Sequence, residues 1–392
     1  MVPARSTGRW VDDLVARAAE QLPPPVARYL AMGAGEEVTL AEASPAWDAV
    51  RFAPRILRTV TEVDLVPDLS GLGLAGDAPP LRLPLGVAPL TLQRAAHPDG
   101  ELATARAAAE VGVPFVVSSN TGTPFADIGE TGVHWWLQVY LPPDRLAAEP
   151  LLRRAVQAGA RAVVLTADTP VVARKYDDVA ATVWDVAEPG WVGAELDEIP
   201  ERTHANQEVG APWRLAEGTD RWREKATDLG PHDIGWLRET TGLPVVVKGV
   251  LRADDARRCL DAGAAGVWVS SHGGRQFDGA LPTAHALDRV TAAVPHVPVL
   301  VDGGIRSARH LAAALGGGAG TAFLGRPVLA ALTLGGTAGV VELFQRLAED
   351  LTEAMRLLGT PSWRELPAVV AREVPPSPHP SGAMDLERSN RP

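Results

Sequence analysis

PVVVKGVLRADDARRCLDAGAAGVWVSSHGGRQFDG, residues 244–279, holds the pattern that decides the fold. Its two apolar runs, PVVVKGV (244–250) and AGVWVSS (265–271), are rich in valine and show no polar alternation, as expected of parallel strands covered on both faces. RADDARRCLDAGA between them reads as a helix that runs into glycine before the next strand. The unit is strand, helix, strand, and it ends by delivering a histidine, two glycines and an arginine.

The same unit recurs along the chain. LPLGVAP (83–89), VPFVVSS (113–119), WWLQVY (135–140), AVVLTAD (162–168), VPVLVDGG (297–304) and TAFLGRP (321–327) bring the strands to eight, with helical patterns such as DRLAAEPLLRRAVQAGA and RSARHLAAALGGGA between them. Eight such units predict an α/β fold, a (β/α)8 TIM barrel, ahead of an open sheet. The echo among QAGARAVVLT, DAGAAGVWVS and GGGAGTAFLG is the chemistry of repeated helix-to-strand turns, and its irregular period excludes a solenoid. Residues 1–80 predict an N-terminal helical and extended segment that packs on the bottom or side of the barrel, which itself occupies 81–374. Between 170 and 231 the pattern fails, in an acid-rich interval with tryptophans from Trp184 to Trp222 that far exceeds a usual connection. It reads as a lid, because it leaves a strand's C-terminal end, where barrel sites are built; a disordered insertion is the alternative. Residues 375–392 read as a disordered tail.

The 392 residues, 46% hydrophobic, suffice for one large core. A net charge of -11 excludes the clustered positive footprint of a nucleic-acid binder. The most apolar stretch, HLAAALGGGAGTAFLG from His310, is glycine-rich and runs into Arg326 and Pro327, so it predicts helix plus strand and no membrane span. RSTGRWVDDLVARAAEQL carries acids and arginines through a helical pattern, unlike a signal sequence, and predicts a cytoplasmic protein. Cys259, the one cysteine, excludes an internal disulfide and reads as a core thiol on a helix. The histidines show no metal-ligand spacing, so no metal is expected.

Polar groups crowd the strand ends. In order these are Pro89-Leu90-Thr91, Ser118-Ser119-Asn120, Gln138 with Tyr140, Thr166 with Asp168, Lys248-Gly249, His272-Gly273-Gly274-Arg275, Asp302-Gly303-Gly304-Ile305-Arg306 and Gly325-Arg326. Their convergence on one barrel mouth predicts a site. DGGIRS and LGRP, after strands seven and eight, combine glycines with arginines where this fold binds phosphate, so a phosphorylated ligand is expected. Strands four and six alternate around the barrel and bring Asp168 to His272. A carboxylate bonded to an imidazole fixes its tautomer and stabilises the imidazolium, which makes His272 a candidate general base. Arg275, three residues on, is a bidentate anchor for a carboxylate beside that base.

With WLQVY, LTADTP, VPVLVDGGIRSARHL and FLGRP, the opening stretch resembles the FMN-dependent α-hydroxy acid oxidases and dehydrogenases, the family of the glycolate, lactate and mandelate enzymes. The resemblance implies FMN in the barrel mouth, its phosphate on Gly304, Arg306, Gly325 and Arg326, its ring and ribityl chain against Ser118, Gln138, Thr166, Lys248 and Asp302, with Pro89, Leu90, Thr91, Ser270 and Gly303 completing the cofactor wall. It implies Tyr29, Tyr140, Asp168, His272 and Arg275 as active-site groups. His272 would remove the hydroxyl proton of a 2-hydroxy acid while hydride, or its carbanion equivalent, passes from Cα to flavin N5. A homotetramer is implied, with oxygen or another electron acceptor. Three positions depart from the family pattern. Lys175 stands where an arginine usually anchors the substrate carboxylate, so either Arg174 shifts inward or carboxylate binding differs; Thr91 replaces Ala or Gly, and Ser271 replaces Asn. Other readings are an FMN enzyme of this fold acting on a non-standard alcohol or amine, a Schiff-base aldolase using Lys248, and a flavin-binding barrel without turnover.

Overall fold

Eight parallel strands close into a barrel, each bonded to the next and the last to the first. They are β1 (Leu85–Val87), β2 (Phe115–Ser118), β3 (Trp135–Val139), β4 (Val163–Thr166), β5 (Val245–Val250), β6 (Gly266–Val269), β7 (Val299–Val301) and β8 (Thr321–Leu324). Every one lies inside a run read from the sequence. The computed structural model describes residues 9–74, 79–188, 190–195 and 225–371; the expected tail and the middle of the expected lid lie outside them.

The two-residue period of the strands explains the interior. Val116, Trp136, Val164, Val246, Trp268, Leu300 and Phe323 pack together as a buried apolar plug. Their neighbours Val117, Leu137, Val163, Val247, Val267 and Val301 belong instead to the core between strands and helices. Two residues further along six strands the inward position turns polar, at Ser118, Gln138, Thr166, Lys248, Ser270 and Asp302, all buried. The register aligns this ring, pairing Ser118 with Gln138 and Thr166 with Lys248.

Leu69 and Leu72, at the turn Ser70–Leu72, pack into the plug from the bottom. Helices Pro24–Ala31 and Val38–Asp48 reach the mouth instead. Tyr29 and Leu30 line its cavity, and Ser44 Oγ and Trp47 Nε1 donate to the Gly304 and Gly303 carbonyls, both at 2.7 Å. Helix Arg326–Leu358 is long and apolar enough to cross a membrane, yet it packs against helices Trp10–Gln21 and Gly100–Val111 and breaks at Gly336, φ 55°. The apolar stretch from His310 is indeed a helix, Ala308–Gly316, followed by β8. Cys259 lies on helix Ala253–Asp261, where burial and the nearby Asp255 push its thiol up to about 11.

Glu101 supports the loop that follows β2. It is fully buried and accepts hydrogen bonds from Thr123 Oγ1 at 3.0 Å and from the Gly122 N–H at 3.4 Å. Burial pushes its carboxyl up to about 7, against the lowering effect of those bonds and of Arg94. Between its ordinary value and pH 7 the folded chain keeps a proton that the unfolded chain releases, so this contribution to stability is lost as pH rises through that window. Glu101→Gln is therefore expected to be more stable than the parent at pH 8, by on the order of 1–3 kcal/mol, and to lose that advantage at pH 4.5. Thermal melts at the two pH values check it; an advantage independent of pH contradicts the buried titration.

Candidate active site

One further step of two residues carries β2, β3 and β4 to Asn120, Tyr140 and Asp168. The chain after β6 joins them by a tight turn, in which His272, Gly273 and Gly274 have φ of 55°, 63° and 75°. Left-handed backbone suits the glycines and strains His272, a strain of the kind stored at functional sites. The His272 N–H is held by Ser270 Oγ at 3.0 Å, and the imidazole Nδ1 lies 2.9 Å from Asp168 Oδ1. Thr169 Oγ1 also donates to Asp168 Oδ1, at 3.1 Å. Gly249 leaves the room required, because a Cβ there would lie 2.5 Å from Asp168 Cβ. Burial pushes the Asp168 carboxyl up, but the charge and hydrogen bond of His272 and the charge of Lys248 outweigh it and hold the group below its ordinary value. An ionised Asp168 places the imidazole proton on Nδ1 and leaves Nε2, 3.3 Å from the Tyr140 hydroxyl, as the acceptor.

Arg275 is oriented by the N-terminal segment. Its Nη1 donates to the carbonyls of Tyr29 and Met32 at 2.8 and 2.9 Å, and its guanidinium lies 4.9 Å from the Tyr29 ring centre. Nε and Nη2 have no hydrogen-bond partner among the described residues, which leaves one edge of the fork for a carboxylate. Below this level Gln138 Nε2 donates to Thr166 Oγ1 at 2.9 Å. Lys248 Nζ donates to Ser270 Oγ at 2.7 Å and pairs with Asp302 Oδ2 at 3.0 Å, while Ser270 Oγ donates to Asp302 Oδ1 at 2.6 Å. An ammonium held against a carboxylate lacks the lone pair of a Schiff-base nucleophile, which argues against the aldolase reading of Lys248.

These levels surround a cavity at the barrel mouth. Pro89, Leu90 and Thr91 line it from β1, and Gly303, Gly304, Arg306, Gly325 and Arg326 from β7 and β8. Gly304 approaches the N-terminal segment so closely that a Cβ would lie 2.3 Å from the Ala43 carbonyl oxygen. Gly325 starts helix Arg326–Leu358 without a side-chain cap or an acidic first turn. Burial pushes Arg326 down to about 9, with repulsion from Arg275 and Arg306 adding to it, and burial pushes Arg306 down to about 10. Three guanidiniums and an uncapped helix N-terminus therefore share one cavity, an arrangement that an anion stabilises. The Arg326 side chain itself donates to the carbonyls of Leu30, Gly273 and Met32, each at 3.0 Å, so it contributes charge and braces the mouth.

Residues 18–372 match the model of the FMN-dependent dehydrogenase family. The chain belongs to this family. It is 39% identical over 352 residues to 4-hydroxymandelate oxidase of Amycolatopsis orientalis, covering 89% of this chain and 94% of that one. It is 37% identical over 339 residues to L-lactate oxidase of Nostoc sp., covering 84% and 89%. Mandelate oxidase with (S)-4-hydroxymandelic acid has the same fold, with a TM-score of 0.80 at 36% identity over 92% of this chain and 97% of that structure.

As a member of the FMN-dependent dehydrogenase family, the protein is an α-hydroxy acid oxidoreductase whose cofactor is FMN. The cavity fits that group: its three clustered arginines suit a phosphate, the buried polar ring suits a heteroaromatic edge, and Thr91 Oγ1 is buried at the cavity wall without a hydrogen-bond partner among the described residues. Ser271 Oγ, outside the lining, is also buried without a hydrogen-bond partner among the described residues. Ser118, Gln138, Thr166, Lys248, Asp302, Tyr29, Tyr140, His272 and Arg275 line the cavity, with Asp168 and Ser270 behind them. Lys175 and Arg174 are not in its lining: Arg174 is exposed, and Lys175 Nζ donates to the Ala173 carbonyl at 2.9 Å. Leu30, Phe323 and Leu329 line the cavity without any sequence signal. Asn120, one of the polar groups expected at the strand ends, also lines it, two residues beyond Ser118 as Tyr140 is beyond Gln138.

Proposed function

We propose that the protein oxidises an aromatic 2-hydroxy acid to the 2-oxo acid, with His272 as general base and oxygen as the electron acceptor. The observation that carries this reading is the 2.9 Å contact between His272 Nδ1 and Asp168 Oδ1, beside an Arg275 with a free donor edge. Bound FMN supplies the acceptor for the two electrons that the acid gives up. Arg275 holds the carboxylate, and the Tyr140 hydroxyl shares the substrate oxygen with His272 Nε2. His272 takes the hydroxyl proton there, and Asp168 stabilises the resulting imidazolium. Gly304, Arg306 and the N-terminus of helix Arg326–Leu358 hold the cofactor phosphate, while Lys248 and Gln138 meet its ring. The aromatic preference is supported by the mandelate and 4-hydroxymandelate oxidases among the relatives.

The test is product formation in air. Mandelate and 4-hydroxymandelate are expected to yield their 2-oxo acids with oxygen uptake, and with higher kcat/KM than glycolate. Uptake with alcohols or amines, and with no 2-hydroxy acid, overturns the reading.

A further inference from the structure

The long connection that leaves the barrel after β4 comes back at Lys225 and Ala226. There the Ala226 N–H donates to the Leu141 carbonyl at 2.8 Å, which sets Lys225 beside the end of β3. Its Nζ lies 3.9 Å from the centre of the Tyr140 ring and is sheltered from solvent. The Tyr140 ring also stacks with His272, the centroids 6.4 Å apart and the planes 20° from parallel. At the departing end of the same connection Lys175 turns to the Ala173 carbonyl, and its backbone bridges Gly35. A cation over a tyrosine face is held by the ring electrons, more strongly when desolvated, and it draws density from the phenolic oxygen. The hydroxyl becomes a stronger hydrogen-bond donor.

We propose that Lys225 is a positioning residue for the substrate, acting by polarising and fixing the Tyr140 hydroxyl that meets the substrate's hydroxyl oxygen. The returning end of the connection then supplies the second positive charge of the substrate site, and the departing end at Lys175 does not. Arg275 over Tyr29, 4.9 Å from its ring centre, is a similar pair in the lining of the same cavity. This proposal rests on the 2-hydroxy acid reading of the site.

The test uses the FMN-loaded full chain, with benzoylformate as a binding probe read from the visible flavin spectrum, and mandelate for turnover. Lys225→Met is expected to raise the benzoylformate Kd and the mandelate KM about tenfold while kcat changes less than about threefold; Lys225→Arg stays within about threefold on all three. In a Tyr140→Phe background Lys225→Met adds less than about twofold, because the hydroxyl it acts on is gone. Lys225→Gln repeats the measurement if the methionine variant loses FMN. Unchanged binding in both variants overturns the proposal. So does a tenfold loss that persists in Tyr140→Phe, or a larger loss from Lys175→Met than from Lys225→Met. Failure of the unmodified protein to oxidise any 2-hydroxy acid overturns the reaction reading instead, and the benzoylformate arm still decides Lys225.

Discussion

His272→Ala is expected to keep its FMN and to lose the chemical step by about 10²- to 10⁴-fold. The loss falls on kcat and on kcat/KM alike, because a general base acts in the transition state and the cofactor contacts lie elsewhere. On the proposed reading the arginines, Lys248 and Gln138 hold FMN, and none of them depends on the imidazole for a hydrogen bond. Asp168→Asn is the companion experiment. An amide offers Nδ1 a donor as readily as an acceptor, so the imidazole tautomer is no longer fixed and the imidazolium loses its counter-charge. Single-turnover reduction of the flavin under anaerobic conditions reads both variants without interference from reoxidation. Near-normal reduction by His272→Ala removes the base assignment.

Arg275→Leu carries the second large effect. Removing one partner of a desolvated charge pair costs about 2–5 kcal/mol, so kcat/KM should fall by roughly 30- to 5000-fold. Arg275→Lys should recover little of it, since an ammonium cannot reproduce the Nη1 contacts to Tyr29 and Met32 while presenting a second edge to the substrate. A neutral amide analogue of the acid separates binding from scaffolding. The leucine variant should lose its preference for the acid over the amide, whereas a variant damaged only in its fold loses both equally. Retained preference places the carboxylate elsewhere in the cavity.

The sequence made most of this barrel legible because its signal is local. Buried parallel strands are short valine-rich runs, and each of the eight observed strands falls within such a run. The same period of two orders the mouth, so the polar positions at strand ends became a ring at the level of Gln138 and Lys248 and a second level at Tyr140 and Asp168. Contacts between distant segments left no local trace. Tyr29 and Leu30 reach the cavity from a helix far from Arg275 in sequence, and Tyr29 was expected only by resemblance. Phe323 belongs by pattern to the apolar plug, yet it also lines the cavity floor. Lys225 follows an interval without strand or helix pattern, and its place over Tyr140 comes with a backbone bond from the next residue, Ala226, to Leu141. Residue type likewise hid where a side chain is spent: the Arg326 fork goes to three backbone carbonyls, and Lys175 to a carbonyl two residues away.

Anaerobic mixing of the FMN-loaded protein with mandelate tests the central claim most directly. Bleaching of the visible flavin band in a single phase, saturating with mandelate and slowed when its Cα carries deuterium, is the result this account predicts. A flavin that stays oxidised with mandelate, 4-hydroxymandelate, lactate and glycolate alike would contradict it.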